Sequence, residues 1–409
     1  MKRVIALALT FVFLTAFAVS GDTVTLTIEG GASVTFDANL KSDGVELGEN
    51  GEIPGSLYPV KELDKYGYIN EQGITVIKHV FSEAERFHEG YAVVKLMDSH
   101  GYGYIDKAGR LVIPYQYDEA RQFSEGLAAV KKDGKWGYIN TSGEIVIPFQ
   151  FEAGGPFSEG RAAVAETVDE KVRFGYIDET GKNVIPCEYI TADSFSGGLA
   201  RVSYPGEYYH FIDTNGKTVI SMRGIYYGFS EGLSMREMKQ YCYRFINSSG
   251  QQVTKDYWYA YPYFSDGLTV VADSYSQYYF IKPNGAKAFG NKTFVDAKPF
   301  SDGYAAVRIY KYQDHTQAPA APPTNVGCYY PPPMPSYYAY IDHNGEYATD
   351  KRFDEAGSFQ DGFAVIEERE EKKDPITGRS TMVTKQKLIN KNFEIVWVFD
   401  DYVPFRYLR

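Results

Sequence analysis

The chain has 409 residues, of which 44% are hydrophobic and 16% are aromatic, including 36 tyrosines. This hydrophobic fraction is sufficient for a continuous core. The formal net charge is −11, which opposes binding to nucleic acid or to an anionic bilayer unless a basic patch is present. Lysines and arginines alternate with acidic residues throughout, so we expect no nucleic-acid partner.

The first twenty residues have the three parts of a secretory signal peptide. Lys2 and Arg3 precede an apolar run from Val4 to Leu14, and Ala16-Phe17-Ala18 offers small residues for cleavage. The alternative is a membrane anchor, but the run is short for a full span. We therefore predict a signal peptide over 1–20, a secreted or extracytoplasmic location, and no integral membrane span after its removal. The mature chain would have 40 basic and 53 acidic side chains, a net charge of −13.

Residues 21–57 precede the first full copy of a repeat. Val24, Leu26 and Ile28 alternate with polar residues, and Val34 and Phe36 continue the alternation. This pattern is typical of half-buried strands, so we predict an N-terminal β segment that caps the array.

Residues 58–365 consist of one motif repeated about eight times with a period of about 35 residues. Residues 102–130 read YGYIDKAGRLVIPYQYDEARQFSEGLAAV, and residues 136–164 read WGYINTSGEIVIPFQFEAGGPFSEGRAAV. Each copy has an anchor (aromatic, small residue, aromatic, Ile), a turn from Asp or Asn to Gly, and a short strand that ends at Pro. A second turn of the form Phe-Ser-Glu-Gly then leads into an alternating strand. The glycines and the tryptophan that define the anchor and the second turn are Gly67, Gly103, Trp136, Gly137, Gly175, Gly126 and Gly160.

This pattern predicts an all-β fold, in which about eight three-stranded units pack in tandem because none can bury its apolar face alone. From His210 onward the anchor glycine is lost, and the spacing becomes uneven. We therefore expect an open or irregular, solenoid-like stack. The alternative is a closed ring resembling a β-propeller, for which seven or eight units would suit closure.

Two segments depart from the period. Residues 309–337 are rich in proline and tyrosine, a composition typical of extended or disordered chain. Residues 366–409 contain a charged stretch, 367–386, whose composition predicts a solvated hairpin tip or loop. A partial copy around Leu388-Ile389-Asn390 follows it.

The copy at Lys135–Asn140, followed by Gly143 and Val146–Pro148, resembles the bacterial WG repeat, which is named for a Trp-Gly pair. The resemblance covers about residues 58–365. It implies an all-β repeat protein, often exported, with no defined catalytic residues to transfer. The chain departs from the family pattern because only Trp136 keeps the tryptophan, and the other copies have Tyr or Phe.

An acidic residue recurs in the second turn of the copies: Glu89, Glu125, Glu159, Glu231, Asp266, Asp302 and Asp361. Catalysis needs one residue in a special environment, so we interpret the recurring acids as turn residues. Asp213 and Asp342 begin turns that resemble calcium loops, but the downstream acidic ligand is missing. Cys187, Cys242 and Cys328 form neither a disulfide framework nor a zinc motif. We expect no catalytic residue, no metal and no cofactor.

The aromatic residues divide into two groups. Tyr104, Tyr138 and Tyr176 lie at anchor positions and are predicted to pack between copies. Tyr310, Tyr312, Tyr329 and Tyr330 lie in or beside the insertion and are the better candidates for ligand contact.

The sequence thus favours an exported binding or scaffold protein for another protein or a cell-envelope polysaccharide, without catalysis. The alternative is an extracytoplasmic glycan-active enzyme on a propeller-like fold.

Overall fold

The computed structural model describes residues 14–20, 23–28, 33–37, 40–42, 45–97, 99, 101–206, 209–221, 225–274, 277–311, 335–373 and 379–399. All regular elements in these ranges are β-strands, which confirms the all-β prediction. Among them there is accordingly no helix of the length and hydropathy needed to cross a bilayer. The chain divides into two compact units, the first being Met1–Asn70, Thr75–Gly134 and Tyr138–Ile145, and the second Glu71–Ile74, Lys135–Gly137 and Val146–Arg409.

The first unit contains a three-stranded antiparallel sheet, a six-stranded antiparallel sheet and two further strands. Their bounds are β1 (Leu14–Ser20), β2 (Thr23–Ile28), β3 (Ser33–Asp37), β4 (Tyr58–Glu62), β5 (Lys65–Ile69), β6 (Thr75–Ala84), β7 (Tyr91–Leu96), β8 (Tyr102–Asp106), β9 (Leu111–Tyr117), β10 (Glu119–Ala120) and β11 (Leu127–Lys132). Strands β12 (Lys135–Asn140) and β13 (Ile145–Phe151) have residues in both units.

The second unit contains small sheets of three or four strands, each in sequence order: β14 to β17, β18 to β21, β22 to β24, β25 to β27, β28 to β30, and β31 to β34. The bounds are β14 (Ala153–Ser158), β15 (Arg161–Val168), β16 (Lys171–Ile177), β17 (Asn183–Tyr189), β18 (Thr191–Ala192), β19 (Leu199–Ser203), β20 (Tyr209–Asp213), β21 (Thr218–Ser221), β22 (Ile225–Tyr226), β23 (Leu233–Lys239), β24 (Cys242–Asn247), β25 (Tyr259–Ala260), β26 (Thr269–Ala272), β27 (Tyr278–Ile281), β28 (Asp296–Ala297), β29 (Ala305–Tyr310), β30 (Ser336–Ile341), β31 (Glu355–Ala356), β32 (Phe363–Lys373), β33 (Ser380–Asn390) and β34 (Ile395–Val398).

The segments outside the repeats take defined positions. Strands β2 and β3, in the segment where we predicted a strand pair, pair from Thr23 with Asp37 to Thr27 with Ser33. Beyond them, Leu40, Ile53 and Leu57 are buried in the core of the first unit. The charged stretch 367–386 lies in the long hairpin of β32 and β33, whose distal residues are exposed.

The anchor glycine controls the length of the outer strand of each sheet. A Cβ placed on Gly175 would lie 2.5 Å from the Ile185 carbonyl oxygen, and one on Gly103 would lie 2.5 Å from that of Ile113. Opposite Gly103 and Gly175 the outer strands have 7 residues. They also continue past the proline at which we expected them to end, because an edge strand does not need the missing N–H.

Where a larger residue replaces the anchor glycine, the outer strand shrinks. Strand β21, opposite His210, has 4 residues. Opposite Arg244 only two isolated bridges remain, Tyr243 with Tyr257 and Ile246 with Gln252. The prediction of three strands per unit is therefore correct for copies such as the one at Arg244. The copies with an anchor glycine keep a fourth strand.

In several copies the first turn packs on the preceding copy. A Cβ on Gly181 would lie 2.9 Å from Ile147 Cγ2, and one on Gly216 would lie 3.3 Å from Ile185 Cγ2. These glycines have a left-handed backbone, with φ of +82° at both positions, which glycine adopts without strain.

The turn Glu71–Ile74 of the first copy makes the same contact with the last copy. A Cβ on Gly73 would lie 2.2 Å from the Val396 carbonyl oxygen, and Asn390 Nδ2 donates to the Glu71 carbonyl oxygen at 2.9 Å. An open stack keeps its first and last copies apart, so the predicted open stack is wrong, and the contact fits the closed alternative. The uneven spacing misled the prediction because the extra residues lie in insertions and leave the packing turns in place.

Candidate ligand-binding surface

The recurring acids of the second turns join successive copies. The Glu159 carboxylate accepts a hydrogen bond from Gly198 N at 2.9 Å, and the Glu89 carboxylate accepts from Glu125 N and Gly126 N. The same link joins Glu231 to Gly267, Asp266 to Gly303, and Asp302 to Gly362. These carboxylates therefore stabilise the stacking of turns, as the turn interpretation predicts.

The anchor tyrosines are also used by the fold. Tyr104, Tyr138 and Tyr176 are fully buried, which confirms the packing prediction. Tyr104 Oη donates to the Arg121 carbonyl at 2.7 Å, and Tyr176 Oη donates to the Asp193 carbonyl at 2.7 Å. Burial raises the pKa of both phenols well above its usual value. Neither hydroxyl is available to a ligand.

Copies with phenylalanine at this anchor position satisfy the same buried carbonyl in another way. In the Phe211 copy, Ser234 Oγ donates to the Tyr227 carbonyl at 2.6 Å. In the Phe245 copy, Thr269 Oγ1 lies 3.3 Å from the equivalent Tyr261 carbonyl and 2.8 Å from the Tyr263 carbonyl. A buried polar group without a partner is costly, so these small hydroxyls compensate for the lost phenols. Sequence reasoning missed this substitution because its two positions are far apart in the chain.

The tyrosines predicted to contact a ligand are not brought together by the described part of the chain. Tyr310 lies at the end of β29 and is half-buried. Tyr312, Tyr329 and Tyr330 lie outside the described residues.

A stacked aromatic pair lies instead at Tyr241, which is exposed, and Trp258, which is half-buried; sequence reasoning missed this pair. Their ring centroids are 5.4 Å apart, and the ring planes differ by 8°. Tyr241 is 55% exposed and has a φ of +61°, a conformation that is rare for a bulky residue. The corresponding hairpin of an earlier copy places Gly134 there. The chain thus holds an exposed ring in a conformation that glycine would adopt at lower cost.

Polar side chains lie next to this pair. Arg244 Nη2 donates to Asp256 Oδ2 at 2.7 Å, and Nη1 donates to Gln252 Oε1 at 2.7 Å. The Cys242 thiol is 3.6 Å from Asp256 Oδ2. We call Tyr241, Trp258, Asp256, Arg244 and Gln252 the aromatic platform.

An acidic cleft of about 340 Å³ lies in the first unit. Its walls include Glu83, Glu85 and Glu119 with Tyr66 and Tyr102. Glu83 accepts from Tyr102 Oη at 2.8 Å, and Glu119 pairs with Lys131 at 2.7 Å. Burial, and secondarily the charge of Glu83, raises the pKa of Glu85.

Metal and thiol chemistry has little support in the described ranges. No group of three His, Cys, Asp or Glu residues there is arranged to hold a metal ion. Asp213 Oδ1 and Asp342 Oδ1 instead accept hydrogen bonds from backbone N–H groups of their own turns. Cys187 and Cys242 are free thiols, and burial raises the pKa of Cys187 to about 12. Cys328 lies outside the described residues.

The model of the WG containing repeat matches residues 66–98, 102–136, 136–166, 174–208 and 338–370. The chain carries WG repeats. No curated protein matches it. The copies between 209 and 337, which the repeat model does not match, have His210, Arg244 and Tyr279 in place of the anchor glycine.

Solved structures show only distant likeness. BamB from Moraxella catarrhalis is 10% identical over 63% of this chain and 95% of its own, with a TM-score of 0.34. Dipeptidyl peptidase 4 from Porphyromonas gingivalis is 10% identical over 87% of this chain and 59% of its own, with a TM-score of 0.40. These values support no conclusion about the function of this WG-repeat chain.

Proposed function

We propose that this WG-repeat protein is an exported binding module whose aromatic platform holds a sugar ring of a cell-envelope polysaccharide, without catalysing a reaction on it. The observation that carries the proposal is the exposed Tyr241 ring, held in a left-handed backbone conformation and stacked on Trp258. Costly local conformations persist where the surrounding structure enforces them, and they cluster at ligand sites. The leader-like residues 1–20 support export.

The chemistry of the platform suits a sugar ring. One face of the Tyr241 ring packs against Trp258, so its exposed surface includes the opposite face. Aromatic faces bind apolar C–H surfaces, and nearby polar groups fix orientation by hydrogen bonds. Asp256 and Gln252 are exposed next to the pair and can accept or donate to sugar hydroxyls. The net charge of −11 favours neutral or amino-sugar polymers over acidic ones.

The test is retention of soluble envelope polysaccharides by the full chain in affinity electrophoresis. Tyr241→Gly removes the ring and relieves the left-handed strain, so the variant should fold at least as stably. We expect its affinity to fall at least about tenfold, whereas Tyr241→Phe should keep most of it.

Tyr263→Ala is the matched control, because Tyr263 is also an exposed tyrosine of the second unit, 45% exposed. Equal retention of Tyr241→Gly and the wild type would refute the proposal, as would failure of the wild type to retain any neutral or amino-sugar polymer.

One observation favours the enzymatic alternative. Glu85 faces a cleft beside Glu83 and Glu119, and its pKa is raised by burial. Glycoside hydrolysis uses one protonated and one ionised carboxyl group at a cleft. In this alternative Glu85 would be the general acid, with Glu83 or Glu119 as the second group.

Hydrolysis assays on the same polysaccharides decide between the two functions. If the chain is an enzyme, Glu85→Gln should abolish turnover, while Glu159→Gln should leave it intact, since Glu159 only joins two turns. Absence of turnover together with retention at the platform would support binding alone.

A further inference from the structure

We infer that a second cavity, lined by the polar residues Lys282, His343 and Asn344 and the apolar residues Leu268, Ala288 and Phe289, binds a small organic acid with an apolar body. The cavity lies within the second unit and has a volume of about 490 Å³, within the range of small-molecule sites. It shares no residue with the aromatic platform, so the inference does not depend on the proposed function.

The first observation is a break in the repeat at Lys282. In other copies the first turn begins with Asp or Asn, whose side-chain oxygen accepts two backbone hydrogen bonds. Asp213 Oδ1 accepts from Asn215 N and Lys217 N, and Asn247 does the same in the next copy. A lysine cannot accept hydrogen bonds, so Lys282 gives up this stabilisation.

The turn at Lys282 keeps the backbone hydrogen bond of the other copies and replaces one side-chain bond. Gly285 N donates to the Lys282 carbonyl at 2.8 Å, and Asn284 Oδ1 accepts from Ala286 N at 3.0 Å. The backbone therefore keeps its form, and the change at this position is the exchange of a turn-closing acceptor for an exposed cation. Positions that break a local rule without structural gain are candidates for function.

The second observation is the charge distribution around the cavity. Within the described residues, the Lys282 ammonium has no carboxylate within ion-pair distance, whereas Lys292 pairs with Glu346 at 2.6 Å. Asp266 also lines the cavity, but its Oδ2 accepts from Gly303 N at 3.0 Å. Among the described residues Lys282 therefore has no ion-pair partner, and the Asp266 carboxylate is the acidic group of the same cavity wall.

The third observation is the fixed ring of His343. Its Nε2 lies 3.1 Å from the Asp266 carbonyl oxygen, and its ring packs on Phe300 with centroids 4.5 Å apart. Because a carbonyl only accepts, Nε2 carries the hydrogen, and Nδ1 of the neutral ring is a hydrogen-bond acceptor. The Asn344 amide lies beside it in the cavity wall.

These groups define the ligand class. A carboxylate can pair with Lys282 and receive hydrogen bonds from neighbouring polar groups, since charge-assisted hydrogen bonds are stronger than neutral ones. Leu268, Ala288 and Phe289 would cover an apolar or aromatic body. The combination fits an aryl or short-chain carboxylic acid better than an inorganic anion, which would leave the apolar wall uncovered.

The experiment titrates the full chain with benzoate and, for comparison, with benzyl alcohol and benzylamine, followed by ligand-observed NMR. We expect saturable binding of benzoate to the wild type and to Lys282→Arg, with at least about tenfold weaker binding to Lys282→Asn. Lys282→Asn restores the residue type of the other copies, so its melting temperature should equal or exceed that of the wild type.

Lys217→Asn is the charge-matched control, because Lys217 is an exposed lysine in the first turn of another copy. It should bind benzoate like the wild type, and Lys282→Asn should retain polysaccharide unchanged. The inference is overturned if the wild type does not bind benzoate or if benzylamine binds more tightly than benzoate. It is also overturned if Lys282→Asn binds benzoate as tightly as the wild type, or if Lys217→Asn binds it as weakly as expected for Lys282→Asn.

Discussion

Two copies in the second unit show what the loss of one glycine does to a WG repeat. In the copy anchored at Gly175, a seven-residue outer strand, β17, packs directly against the glycine. In the copy anchored at Arg244, the corresponding segment makes only isolated bridges at its two ends. The Arg244 guanidinium reaches across the gap to Gln252 and Asp256. Trp258, one half of the aromatic platform, directly follows the bridge at Tyr257, and its backbone N–H donates to the Ala272 carbonyl at 2.9 Å.

The comparison indicates that the late copies keep a satisfied core although they lose part of the repeat motif. Their cores stay satisfied, because Ser234 and Thr269 supply the hydroxyls that Phe211 and Phe245 lack. Their edges are released from sheet pairing and carry exposed side chains. The early copies use the same positions for structure.

The largest expected effect is at the anchor glycine. Gly175→Ala places a Cβ against the Ile185 carbonyl oxygen, so β17 must move, and we expect a loss of about 2–3 kcal/mol in the free energy of unfolding. Denaturant unfolding followed by fluorescence measures it. Gly228→Ala is the control, because nothing lies within 4 Å of the added atom. Equal stability of the two variants would contradict the role assigned to the glycine.

A smaller effect is expected at the buried hydroxyls. Tyr176→Phe and Ser234→Ala each leave a partly buried carbonyl without its donor, and each should cost about 1–2 kcal/mol. Tyr102→Phe should cost less, since its hydroxyl bonds an exposed carboxylate. If Ser234→Ala were silent in thermal unfolding while Tyr176→Phe was not, the equivalence between early and late copies would be wrong.

The links between second turns should contribute less again. Glu159→Ala removes the bond to Gly198 N and keeps a left-handed residue, with an expected loss of about 1 kcal/mol. Glu159→Gly removes the same bond but relieves the backbone, so it should cost less than Glu159→Ala. The copy at Gly197 already has a glycine at this position. A larger loss for glycine than for alanine would show that backbone strain is unimportant there.

The smallest effect concerns a group that the fold does not need. Because the pKa of Glu85 is raised in the folded state, folding favours its protonated form, and stability falls as pH rises from its ordinary pKa through the raised one. Glu85→Gln removes this titration, so the variant should be relatively more stable above that range than below it. Melting temperatures between acid and neutral pH would show a constant difference if Glu85 had no part in it.

Much of the fold could be predicted from local pattern. The period, the positions of both turns and the burial of Tyr104 follow from residues close in sequence, because turns and strands depend on short-range backbone chemistry. The recurring acids could be interpreted as turn residues for the same reason. The aromatic platform could not be predicted, because Tyr241 and Trp258 lie in different turns of the copy and meet only in the folded chain. An available signal was the absence of glycine or asparagine at the tip of that hairpin, where Tyr241 takes the left-handed conformation.

The sequence by itself determined that this protein is a series of short β units with tight turns, since each unit repeats the same turn residues and the same alternation of apolar residues. Only the tertiary structure decided that the turn at Gly73 meets the strand at Val396, which outer strands are lost, and that Lys282 borders a cavity. These outcomes depend on contacts between residues far apart in the chain, whose energies come from packing and from the geometry of neighbouring copies.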